Sequence, residues 1–135
     1  MNKKLLYIIL AVVSVIILYL VFRKPETPEE KVVRIEQLRR EAYDFAVSCS
    51  RVKEPKLKFE DIGWIVMPGH KLAISAIDGV IDLSGYFSPN DSTIYVPELR
   101  EDTFWILAHE SMHAIGFRGH PDFPFKECNL LASQH

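Results

Sequence analysis

The residues best equipped for chemistry form one short run, His109-Glu110-Ser111-Met112-His113. On a helix, positions i and i+4 stand on one face, so the two imidazoles can share a single cation. Zinc suits such a pair, with Zn–N bonds of about 2.0–2.1 Å. Glu110 lies between the histidines and points beside them, where its carboxylate can take a proton from a water on the ion. Zinc lowers the pKa of that water toward roughly 7 and polarises a carbonyl group. Three fixed positions in five also arise by chance, as helix histidines that only pack or meet solvent. Here the run sits in an apolar helix, follows a sheet-like segment, and is followed by a break and a further histidine, His120.

The helix that must carry these groups reads from Phe104 to Ile115. Glu101-Asp102-Thr103 suit its positive end, and Gly116 ends it. Before it, residues 55–96 are broken by Pro and Gly into short β-branched and aromatic runs. Trp64–Met67, Leu72–Ile77, Val80–Leu83 and Thr93–Val96 predict three or four strands of a small sheet. Ser88-Pro89-Asn90-Asp91 reads as a turn joining Gly85-Tyr86-Phe87 to Thr93–Val96. An earlier helix is predicted to start at Thr27 as N-cap, with Pro28 first and Glu30 closing the turn, and to run to about Ser50. Its apolar stripe is Ile35, Leu38, Ala42, Phe45, Ala46 and Cys49; Arg34, Glu36, Arg39, Arg40 and Glu41 form its expected solvated face. The segment from Phe117 to His135 is Pro-, Gly- and polar-rich, and reads as an irregular tail.

The amino-terminal part is different in kind. Leu5 to Phe22 is 18 residues of nearly unbroken apolar sequence, close to what a helix needs to cross a hydrocarbon core of about 30 Å. No small-residue cleavage site follows it, so an uncleaved anchor is expected rather than a signal peptide. Lys3 and Lys4 precede the span and Arg23 and Lys24 follow it, so the charges do not fix its orientation. The expected organisation is an α+β chain: an anchor over 1–24, a linker over 25–30, and a small domain over 31–135. That domain runs helix, short mixed sheet, active-site helix, irregular tail. A net charge of −2 argues against a nucleic-acid partner, which would want a clustered basic face. Cys49 and Cys128 fit either one disulfide or two packed thiols.

His109-Glu110-x-x-His113-x-x-Gly116 followed by His120 resembles the zincin metallopeptidases, and among them the metzincin pattern HExxHxxGxxH. The resemblance implies His109, His113 and His120 as zinc ligands and Glu110 as catalytic base. The family pattern would place its third histidine at position 119; this chain has Gly119 there and His120 next, so a slightly longer turn is required. Asp122 is the alternative third ligand. Cys128 is a further thiolate candidate, but a closed site of that kind would leave Glu110 without a use. The family also has a Met-containing turn beneath the metal. No Met follows Met112 here, so Leu130 or Leu131 is a candidate for that apolar floor. In the family an edge strand binds the substrate backbone, which makes Thr93–Val96 a candidate, with an ordinary core strand as the alternative. Tyr86, Tyr95 and Arg118 are candidates to stabilise an oxyanion, and His70 reads as a solvent-facing turn residue.

The expected protein is a single-pass membrane zinc peptidase cleaving peptide or protein substrates. The alternative is a zinc-stabilised binding module without turnover, suggested by the small size, the extra residue before His120 and the missing Met.

Overall fold

The computed structural model describes residues 3–76 and 79–131, and the chain divides into two compact units, 1–31 and 32–135. Helix α1 (Lys3–Phe22) has a mean hydropathy of 3.1 over Lys4–Phe22 and none of that stretch is buried. It is long and apolar enough to cross a membrane; a signal sequence shares those properties. Helix α2 (Pro28–Ser50) begins with the expected reciprocal cap. The Glu30 amide donates to Thr27 Oγ1 at 3.2 Å, and the Thr27 amide donates to Glu30 Oε2 at 2.8 Å.

The unit 32–135 is an α+β fold. The predicted stripe of α2 turns inward, with Ile35, Ala42 and Ala46 buried and Leu38, Phe45 and Cys49 half-buried. Tyr43 joins it, donating its hydroxyl to the Leu57 carbonyl at 2.8 Å. The charged face is not wholly solvated. Arg39 lies over the Trp64 ring at 5.2 Å, and Arg40 over Phe59 at 4.2 Å, because long cationic stems cover apolar surface while their heads stay wet.

Five strands follow among the described residues: β1 (Gly63–Met67), β2 (Leu72–Ala76), β3 (Gly79–Leu83), β4 (Tyr86–Ser88) and β5 (Thr93–Pro97). They form two sheets rather than one. β2 and β3 pair as an antiparallel hairpin, Leu72 opposite Leu83; Ile77, expected at the end of β2, lies outside the described residues. The other sheet has the order β1-β5-β4 and is mixed, β1 parallel to β5 and β4 antiparallel to it. This corrects the expectation that Thr93–Val96 offers an edge. β5 is the central strand, hydrogen-bonded on both sides, with Thr93, Ile94, Val96 and Pro97 buried. Continuous burial suits a strand covered on both faces. The sheet's edges are β1 and β4.

Helix α3 (Phe104–Ala114) packs on this sheet with Leu107, Ala108 and Met112 fully buried. Phe45 of α2 meets Phe104 and Trp105 edge-on at 5.6 and 5.7 Å, a geometry favoured by the ring quadrupoles. A Schellman turn ends α3: the Gly116 amide donates to the His113 carbonyl at 3.1 Å and the Phe117 amide to the Met112 carbonyl at 3.2 Å. The required left-handed residue is Gly116, with φ +126°. Cys49 and Cys128 form a disulfide, resolving the two readings of that pair and fixing the tail to the end of α2.

Candidate metal centre and cleft

His109 and His113 stand one helical turn apart on α3, and the Schellman turn sends the chain back past them. Gly119, with φ +64°, supplies the second left-handed step. That step absorbs the residue by which the sequence exceeds the metzincin spacing. His120 Nε2 thereby comes within 3.0 Å of His109 Nε2, and His113 Nε2 within 3.3 Å of it.

The other ring nitrogens settle the tautomers. His109 Nδ1 lies 2.5 Å from the Leu130 carbonyl oxygen, and His113 Nδ1 2.8 Å from that of Phe117. A carbonyl only accepts, so both Nδ1 atoms carry the proton and both Nε2 atoms present a lone pair. Lone pairs held this close repel unless a proton donor or a cation sits among them, and a cation can serve all three rings at once. Two nitrogens on a tetrahedral ion with bonds of about 2.0–2.1 Å are separated by about 3.3 Å, close to the spacing found. The three histidines are therefore arranged to hold a metal ion, their donor atoms all lying within 4.8 Å of one another. The carbonyls that orient the rings are the usual outer support of histidine ligands.

Beneath the ligands lies Phe125, fully buried, its ring centroid 5.1 Å from that of His109 and 5.0 Å from those of His113 and His120. It forms the apolar floor for which Leu130 and Leu131 were candidates. Leu130 is buried too, but its contribution to the centre is its carbonyl oxygen. Asp122 is exposed at the start of a short helical turn, Asp122–Lys126, just beyond His120, and is not one of the converging donors among the described residues. Cys128 is consumed by its bridge to Cys49, which removes it as a thiolate ligand.

The ligands open onto a cleft of about 740 Å³, bounded by α3, the turn after it, and β4. Glu110 lines this cleft although it is only 6% exposed. Burial pushes its carboxyl up to about 8, opposed by a hydrogen bond from the Phe87 amide of β4. Burial also lowers His113, with the Phe117 carbonyl pulling the other way and the neighbouring His120 adding to the fall. Both effects favour uncharged groups in the metal-free pocket. Gly85 explains how β4 comes so near: a Cβ there would lie 2.9 Å from Ile106 Cγ2 and 3.0 Å from Glu110 Oε1.

Of the oxyanion candidates, Tyr86 and Arg118 line the cleft and Tyr95 does not. The Tyr95 hydroxyl donates to Asp91 Oδ2 at 2.7 Å. His70 is exposed, as expected. Sequence reasoning missed Phe125, Gly85 and the two carbonyls. Only the Phe117 carbonyl had a usable signal, since a helix ending at Gly116 places the next residue beside His113. No family model, curated protein or solved structure matches this chain.

Proposed function

We propose that the domain is a zinc-dependent peptidase, with His109, His113 and His120 as ligands and Glu110 as general base. The observation that carries the reading is the convergence of three imidazole nitrogens at the wall of a cleft that also holds a buried carboxyl. Zinc fits because it accepts three nitrogen donors and keeps a fourth position for water or substrate, where it acts as a Lewis acid. The chain's own residues supply the rest. The Phe87 amide steadies Glu110, which takes a proton as water adds to the scissile carbonyl carbon. Glu110 then returns that proton to the amine as the C–N bond breaks. β4, an edge strand beside the cleft, is suited to align an extended peptide by main-chain hydrogen bonds. Helix α1 serves as a membrane anchor in this reading. The Cys49–Cys128 bridge favours the oxidising side of that membrane for the domain.

The test uses the full-length protein in detergent, zinc-loaded, against a broad peptide library read by mass spectrometry. Wild type should cleave and Glu110→Gln should not, while both retain one zinc per chain. Equal cleavage by the two would remove Glu110 as base. Bound zinc with no cleavage by either would leave the zinc-stabilised binding module.

A further inference from the structure

We infer that the cleft selects peptides carrying a carboxylate close to the scissile bond, through Lys56 and Arg118. The inference rests on the peptidase reading and names the substrate class of that site. Among the described residues, Lys56 and Arg118 are the charged residues lining the cleft apart from Glu110 and the three histidines, and both are cationic. Neither side chain forms an ion pair among the described residues.

Their positions are built rather than incidental. The Lys56 amide donates to the Ile115 carbonyl at 3.0 Å, and Lys56 Cβ lies 3.5 Å from where a Gly116 Cβ would be. That pins the root of Lys56 to the end of the metal-binding helix. Arg118 sits inside the turn between Gly116 and Gly119, one residue after the carbonyl that orients His113 and two before His120. The backbones of both residues are therefore tied to the segment that carries the three histidines.

The whole chain carries a net charge of −2, so this rim is opposite in sign to the molecule. A bound divalent ion would add to it. A cleft lined by one sign of charge concentrates ligands of the other sign and penalises like charge. Solvent-exposed pairs of this kind contribute modestly and are weakened by salt, so a few-fold effect per cation is expected. The carboxylate has two sources, an Asp or Glu side chain or the free C-terminus of a short peptide. The chemistry at the rim is the same for both.

Three otherwise identical peptides separate these sources: one with Glu beside the cleavable bond and an amidated end, its Gln counterpart, and the Gln counterpart with a free C-terminal carboxylate. Binding to zinc-loaded Glu110→Gln protein is read by fluorescence anisotropy at low and high salt, and wild-type cleavage by kcat/KM. At least one carboxylate peptide should outperform the neutral one about tenfold at low salt, and the better of the two identifies the source. Lys56→Gln/Arg118→Gln should erase the preference and Lys56→Glu/Arg118→Glu should invert it, with zinc content reporting an intact site. A neutral peptide bound and cleaved as well as both others, or a preference that survives the double variant, overturns the inference and leaves the peptidase standing. No binding or cleavage of any peptide sinks both.

Discussion

Replacing Glu110 with Gln should stabilise the metal-free protein, and only above about pH 5. The carboxyl titrates near 4.5 in the unfolded chain and is pushed up to about 8 in the fold. Below about pH 4.5 it is neutral in both states and contributes no difference. As the pH rises from there, the unfolded chain ionises while the buried group stays protonated, so stability falls until about pH 8 and then levels off. At about 1.36 kcal/mol per pH unit, the full gap corresponds to as much as roughly 5 kcal/mol. His113 is displaced in the opposite sense, since burial lowers it; it costs stability only as the pH falls below about 6.5. Between about pH 6.5 and pH 8 the carboxyl dominates the pair, and wild type should lose roughly 1.5 kcal/mol. That is about 6 °C or more in Tm for a domain of this size. Chelator-treated wild-type and Glu110→Gln proteins would be melted across that range, followed by circular dichroism. Wild type should slope downward and the variant should be flat. Parallel slopes would mean that Glu110 is solvated or already charged, and the argument from burial would be wrong.

Breaking the bridge by Cys49→Ser/Cys128→Ser frees a loop closed over 79 residues of sequence, which loop-closure entropy values at about 4.5 kcal/mol. Thermal melts should show a fall of that order, and zinc affinity should fall as well, because the tail carrying Phe125 and the Leu130 carbonyl is released; unchanged affinity would show that the tail is held without the bridge. Gly85→Ala drives a methyl group against Glu110 and Ile106, so kcat/KM should fall about tenfold or more with zinc stoichiometry intact. Full activity in that variant would mean that β4 can retreat from α3 without consequence.

The parts of the site that follow from local geometry were legible in the sequence. One helical turn fixes the relation of His109 to His113, and Gly116 marks where the helix must stop. The Thr27–Glu30 cap and the strand limits were legible for the same reason. His120 needed the family resemblance, because its approach depends on how two glycines turn a loop. Parts set by distant pairing were hidden. Nothing in Thr93–Val96 says that β1 pairs with it in parallel and makes it central. Phe125 lies in a stretch without periodicity, and that stretch is tied down near Phe125 by a bridge from Cys128 to Cys49, 79 positions before Cys128. Two cysteines alone could not say whether that bridge forms.

Phe125 has a consequence for traffic. A fully buried hydrocarbon ring closes the underside of the three imidazoles and offers an ion no stepping stone. On the proposed reading, metal would arrive and leave on the cleft side, where a peptide would also bind. A slowly departing peptide would lock the ion in place, and a chelator could strip it only in the intervals between guests.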